Sequence, residues 1–199
     1  MRIDTVHTKV YTFKELDQAG KDKAIEDQRE FIFETWDATW IIEDETARLE
    51  SMGYSDPDIS YSGFNSQGDG ASFTCRSIDL WKWITFNKLY TVFKPLKKYI
   101  ESGELTGSID RINNHYSHSR TVTASISDDM PGASVKLCDL INRLEKTIDQ
   151  DCETQSDQIY KALESAWDYE LEDKSIIETI KMNEYEYYSD GQIYTGGTK

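Results

Sequence analysis

Hydrophobic and polar positions along this chain recur with two different periods, and the switches between them mark its elements. Residues 2–13 alternate and carry β-branched and aromatic side chains, which predicts a strand. Helix is expected over about Lys14–Phe33. Thr12 stands as its cap, Glu15 follows at capping-box spacing, and Tyr11 and Leu16 suit a hydrophobic staple. Gly20 weakens that helix by ~1 kcal/mol relative to alanine. A second helix is predicted over Trp36–Met52, with Trp36, Trp40 and Ala47 at helical spacing and Gly53 as its C-terminal cap. The period then becomes two. Ile59, Tyr61 and Gly63 alternate with Ser60, Ser62 and Phe64, and Ala71, Phe73 and Cys75 with Ser72, Thr74 and Arg76, which gives one β-hairpin.

Leu80–Phe93 reads as helix, Pro95 interrupts it, and Leu96–Ile100 continues as a short helix ending near Gly103. His118–Ile126, rich in Thr, Ser and Val, is expected to be a strand beside the hairpin, followed by a turn at Asp128–Gly132. From Ala133 to about Glu172 the period is helical, as one long helix or two in succession. Leu137, Ile141, Leu144, Ile148 and Cys152 form one stripe, and Ile159, Leu163, Ala166 and Leu171 a later one. A short helix over Ser175–Met182 precedes a closing hairpin, Tyr185–Tyr188 with Gln192–Tyr194, turned at Ser189-Asp190-Gly191. The expected fold is α+β, an antiparallel β-sheet packed against several α-helices, in a single domain over residues 1–199.

Composition narrows the class of function. The net charge is −15, which disfavours direct nucleic-acid binding, because displacing counterions from phosphates needs basic residues. The same charge disfavours anionic membranes and permits a basic protein partner. Five Trp and twelve Tyr argue against a disordered acidic tail. The three cysteines, Cys75, Cys138 and Cys152, are scattered and form no C-x-x-C pair, so neither a zinc site nor a disulfide framework is expected. With no apolar leader at Met1-Arg2-Ile3-Asp4 and no apolar run of spanning length, a cytosolic protein is expected.

The densest set of candidate binding groups lies in the hairpin connection, Asn65-Ser66-Gln67-Gly68-Asp69-Gly70. Gly63, Gly68 and Gly70 let the backbone turn sharply. Amides near Gly68 and Gly70 could form an anion nest, and Gln67 and Asp69 could read a polar ligand. An ordinary connection in which Asn65 and Asp69 cap local backbone groups is the plain alternative. The loop is neither a Walker loop nor a dinucleotide fingerprint. His115 and His118 point to opposite faces if they lie on a strand, so only a turn would join them. Arg120, on an expected strand of an acidic protein, either pairs with a carboxylate or meets an anionic ligand group. Cys75 could act as a nucleophile near His118, or be an inert thiol. No Gly-x-Ser-x-Gly or other triad order is present.

Two further features concern association. Trp81, Trp83, Phe86, Tyr90 and Phe93 fill more than one helical face, and the surplus suits a homodimer surface. Carboxylates from Glu26 to Glu45 decorate the first two predicted helices, as a solvated face or as a mimic of nucleic-acid phosphates.

Several segments occur here in a recognisable order: Tyr11-Thr-Phe-Lys-Glu-Leu, Tyr61-Ser-Gly-Phe-Asn-Ser-Gln-Gly-Asp-Gly-Ala-Ser-Phe, His115-Tyr-Ser-His-Ser, and Asn183-Glu-Tyr-Glu-Tyr with its Asp190-Gly191 turn. Together they resemble uncharacterised small accessory proteins of tailed bacteriophages. The resemblance implies a phage or prophage protein acting in the host bacterial cytoplasm, and carries over no catalytic residue. The function expected is therefore a non-catalytic binding protein that inhibits or sequesters a host component, in particular one of an anti-phage defence system. Its partner is a host protein or, alternatively, a small nucleotide signal held as by a sponge. A hydrolase using Asp69 and His118 is the least favoured alternative. The candidate binding residues are Ser66, Gln67, Gly68, Asp69, Gly70, His118 and Arg120, with Tyr61, Phe64 and Tyr116 to stack on a base. No cofactor or metal is expected.

Overall fold

The computed structural model describes residues 7–113 and 115–196, so residues 2–6 of the strand expected over 2–13 lie outside the described residues, and of the rest only Tyr11–Thr12 is strand. In chain order the first elements are β1 (Tyr11–Thr12), α1 (Gln18–Thr35), α2 (Thr39–Met52), β2 (Tyr54–Ser55), β3 (Asp58–Tyr61) and β4 (Ala71–Ile78). Then follow α3 (Leu80–Phe86), α4 (Tyr90–Phe93), α5 (Lys97–Glu101), β5 (Leu105–Arg111) and β6 (Val122–Asp128). The chain closes with α6 (Val135–Leu171), α7 (Asp173–Met182) and β7 (Glu186–Tyr187). The fold is α+β with antiparallel sheets. Its residues form two compact units, one from Ala38–Glu164 and one from the two ends of the chain, up to Asp37 and from Ser165 on.

In the unit of residues 38–164, β4 and β5 are the central strands. β4 pairs on one side with β2 and β3, and on the other with β5, which pairs with β6 along its length from Leu105↔Asp128 to Arg111↔Val122. Tyr54 opposes Ile78 and Asp58 opposes Thr74, so the register is unchanged across the gap and β2 and β3 are one interrupted strand. The interruption has a local cause. Pro57 has no N–H to give the ladder, and Asp56 takes a left-handed φ of 52°. β4 also carries a register shift between Cys75 and Ile78, where Arg76 and Ser77 are exposed in succession.

The buried face of this sheet presents Phe73, Cys75, Leu105, Ile109, Val122 and Ala124. Helical residues Leu49, Leu80, Trp83, Ile84, Leu144, Ile148 and Cys152 are buried with them. Below them runs a polar chain. The Asp151 carboxylate accepts from the Tyr54 hydroxyl at 2.8 Å and from the Trp83 indole N–H at 2.9 Å. Its other oxygen accepts from the Gln155 amide at 2.8 Å, and Gln155 in turn accepts from Arg48, which pairs with Glu45.

α6 is one helix of 37 residues, and the two predicted stripes merge along it. It also covers the free edge of β6. Asp149 accepts from the Ala124 amide and Glu145 from the Ile126 amide, both at 2.9 Å. The spacing explains the match, since four helical residues rise about 6 Å and two strand residues about 6.6 Å.

Several expectations are corrected. β5 replaces what reads as an unassigned stretch after Gly103. The strand expected from His118 starts at Val122, after a 3-10 turn at Ser119–Thr121. The helix expected over Leu80–Phe93 breaks after Phe86, where Lys88 takes a φ of 58°.

In the unit of the chain ends, α1 and α7 bury Phe13, Leu16, Ala24, Ile176, Ile180 and Tyr187. β1 pairs with β7 antiparallel, and Tyr187 bridges Ile193 in the expected closing hairpin. The helix starts at Gln18, capped by Asp17, whose carboxylate accepts from the Gly20 amide at 2.8 Å. The Thr12–Glu15 interaction does form, with Glu15 accepting from the Thr12 amide and hydroxyl at 2.8 Å, but it closes a turn ahead of the helix.

Candidate functional site

The hairpin connection is built by unusual backbone. Gly63 and Gly68 have φ of 77° and 97°, and Asn65 also adopts the left-handed region at 79°. Gly70 is needed for a different reason: a Cβ there would stand 2.5 Å from the Cβ of His118 and 3.0 Å from the Ser117 carbonyl. The loop therefore packs directly on the 115–121 segment. The Ser62 amide donates to the Gly70 carbonyl at 3.1 Å, and Asp69 accepts from the Ser66 amide at 2.6 Å. Asp69 thus shapes the loop, as the plain reading of the sequence anticipates.

On the facing segment, His118 Nδ1 accepts from the Arg120 amide at 3.1 Å, which leaves the ring proton on Nε2. Thr121 donates its amide and hydroxyl to the His118 carbonyl at 2.9 and 2.7 Å. This turn holds the His118 ring over Tyr116, with centroids 6.3 Å apart and planes 27° from parallel. Tyr116 covers Gly68, where a Cβ would meet its ring at 3.1 Å. His115 lies edge-on to Tyr116 at 4.4 Å.

Four of the residues selected from the sequence, Asp69, Gly70, His118 and Arg120, converge on one open cleft of about 280 Å³. Ser66 and Gln67 are exposed and do not line it, and Gly68 lies under Tyr116 instead. Asp157 and Tyr160 of α6 complete the wall, and sequence reasoning missed both. Only the tertiary path of α6 brings them there; their one local signal is their place beside the buried positions Ser156 and Ile159. Tyr160 extends into a series of rings, with Phe64 at 5.8 Å and Tyr61 a further 5.9 Å on. Arg120 is exposed, and among the described residues its guanidinium has no ion-pair partner, so the ligand-facing alternative for this residue is open to it.

The thiols stand apart from this cleft. Cys75 is buried, and burial pushes its pKa up to about 11; burial raises that of Cys152 further. Among the described residues no cluster of His, Cys, Asp and Glu is placed to hold a metal ion, and no helix is long and apolar enough to cross a membrane.

A larger hollow of about 750 Å³ lies at the interrupted strand and the register shift of β4. Arg76 and Arg111 line it with Asp56, Asp58 and Asp110. Sequence reasoning selected none of these. The signal available was the Asp56-Pro57 pair, which marks a break in a strand.

The sequence model of a family described as a domain of unknown function (DUF8835) matches residues 34–173, which include the whole cleft. No curated protein and no solved structure matches the chain.

Proposed function

The chain belongs to the DUF8835 family, a domain of unknown function, and we propose that it is a phage-encoded, non-catalytic binding protein that sequesters or inhibits a component of a bacterial anti-phage defence system. The observation that carries the binding reading is the state of the polar groups at the cleft. Asp69 and His118 are engaged in shaping the loop and the turn, while Arg120 is left exposed in a cleft that Tyr160 also lines. A general base must reach the proton it removes, and His118 directs Nδ1 to a backbone amide instead. The phage origin and the host bacterial cytoplasm are supported by the resemblance of the Tyr61–Phe73 core to phage accessory proteins.

A second reading, a sponge for a nucleotide signal, is favoured by the ring at the cleft. Tyr160 lines the cleft with Arg120; a base stacking on an aromatic ring gains about 1–3 kcal/mol, and Arg120 offers a cation to a phosphate. A cleft of about 280 Å³ suits one nucleobase with part of its sugar and phosphate. Homodimerisation is a further proposal, supported by Phe86 and Tyr90, which remain 51% and 54% exposed while Trp83 and Phe93 are buried.

Native mass spectrometry of the protein purified from infected, defence-competent bacteria tests these readings. A retained mass of nucleotide size, lost in Arg120→Ala, establishes the sponge. A stoichiometric host protein establishes the inhibitor. A clean apo chain in every preparation sinks both.

A further inference from the structure

On the unit built from the chain ends, two hollows flank Phe31 of α1. One, of about 350 Å³, includes Gln28, Phe31, Tyr185, Tyr187 and Ile193. The other, of about 460 Å³, includes Gln28, Phe31, Ile32, Tyr169, Met182 and Tyr185. They share Gln28, Phe31 and Tyr185, and so form one groove along α1. Its apolar side chains stand open to solvent, with Phe31 58%, Tyr169 60% and Met182 84% exposed. Scattered apolar residues are ordinary on a surface, but a contiguous groove of them marks a docking site.

The charges in its walls are of one sign. Glu170 and Glu178 line the groove, as does Asp27, which Lys23 already pairs, and no Lys or Arg is in the lining. Glu170 lies deep enough that burial raises its pKa. A second copy docked groove to groove would bring the same carboxylates against these and is repelled at this face. An anionic lipid surface is repelled likewise. The groove also lies almost wholly outside residues 34–173, with only Tyr169 and Glu170 inside that match.

We propose that this groove docks an amphipathic, basic helix of a partner protein. Apolar side chains at i, i+3, i+4 and i+7 enter the two hollows, and Lys or Arg on the flanks of that helix meet Glu170 and Glu178. The proposal rests on the protein-partner reading of the function and names the surface that reading lacks.

The test is fluorescence anisotropy of the full chain with a labelled Leu/Lys peptide, patterned i, i+3, i+4, i+7, against a scramble of the same composition. The expected result is tighter binding of the patterned peptide by about tenfold or more, weakened about tenfold by Phe31→Glu and by Met182→Glu. Both positions are exposed, so both variants fold, and circular dichroism verifies it. Glu178→Lys weakens binding too. Equal affinity for the scramble, or groove variants that bind as the wild type does, overturns the proposal. So does a concentration-dependent dimer of the chain alone that Phe31→Glu abolishes. Native mass spectrometry separates the two levels. A host protein that still co-purifies with Phe31→Glu refutes the groove and leaves the binding function standing. A wild type that retains no host protein, yet binds the patterned peptide through Phe31, refutes the defence-inhibitor reading and upholds the groove.

Discussion

Gly70 shows how a single missing side chain builds the candidate site. The Cβ of an alanine there would need the space held by the His118 Cβ, 2.5 Å away, and by the Ser117 carbonyl. Backbone and Cβ atoms do not swing aside as a side-chain tip does, so the loop and the turn must separate. Gly70→Ala is expected to cost about 1–3 kcal/mol by overpacking and to open the cleft, read as a lower urea midpoint together with lost ligand binding. An unchanged midpoint would mean that the loop does not rest on the turn. Asp151 is the opposite case, a half-buried group whose partners matter more than its volume. Asp151→Ala takes the acceptor from the Tyr54 hydroxyl, 0% exposed, and leaves the Trp83 indole only its bond to that hydroxyl at 3.0 Å. Leaving such a group unpaired costs about 1–3 kcal/mol. Chemical denaturation should therefore show a larger loss for Asp151→Ala than for Asp151→Asn, which keeps an acceptor; equal losses would count against the network.

The elements differ in how far the sequence discloses them. The Tyr61–Phe73 hairpin is legible because alternation and turn glycines are local signals, and the closing turn at Asp190-Gly191 for the same reason. β5 is a central strand and was invisible. Its inward positions are Leu105, Gly107 and Ile109, and a glycine in that series reads as a loop. The structure supplies the reason for it, since a Cβ on Gly107 would lie 2.9 Å from the Leu80 side chain, where α3 meets the sheet. The cleft was half legible. Asp69, Gly70, His118 and Arg120 come from short polar segments, whereas Asp157 and Tyr160 sit in a long helix whose sequence shows only periodicity. The role of α6 as an edge guard was also hidden, because no local signal marks Glu145 and Asp149 as acceptors for a strand distant in sequence. Replacing both with alanine leaves the Ala124 and Ile126 amides without these acceptors and bares a strand edge. Self-association by light scattering and faster hydrogen exchange at those two amides are expected; a monodisperse variant with unchanged exchange would refute the guarding role.

Across the molecule, charge and burial act in different pH ranges. Part of the acidity is balanced locally, as Lys23 pairs with Asp27, Arg29 bridges Glu26 and Asp173, and Arg48 pairs with Glu45. These pairs weaken phosphate mimicry by the first two helices, since several of the carboxylates already have partners. The groups whose burial does carry a pH signature are acids kept neutral. Burial raises Cys75 from 9.0 to about 11 and Tyr187 from 10.0 to about 12, and it pushes Cys152 and Tyr54 higher still. In the unfolded chain the thiols ionise near 9.0 and the phenols near 10.0. Below pH 9 both states hold these protons and stability is indifferent to pH on their account. Above it the unfolded chain binds fewer protons than the folded one, so the free energy of unfolding falls as pH rises. The melting temperature should therefore begin to drop near pH 9 and drop faster past pH 10, where the phenols join the thiols. Tyr54→Phe removes one of those protons while Asp151 keeps its bonds from Trp83 and Gln155. That variant should start lower at pH 7 and lose less between pH 10 and 11 than the wild type. Melts that stay level to pH 11, or that fall in parallel for the two proteins, would show that these buried protons do not govern the alkaline limb.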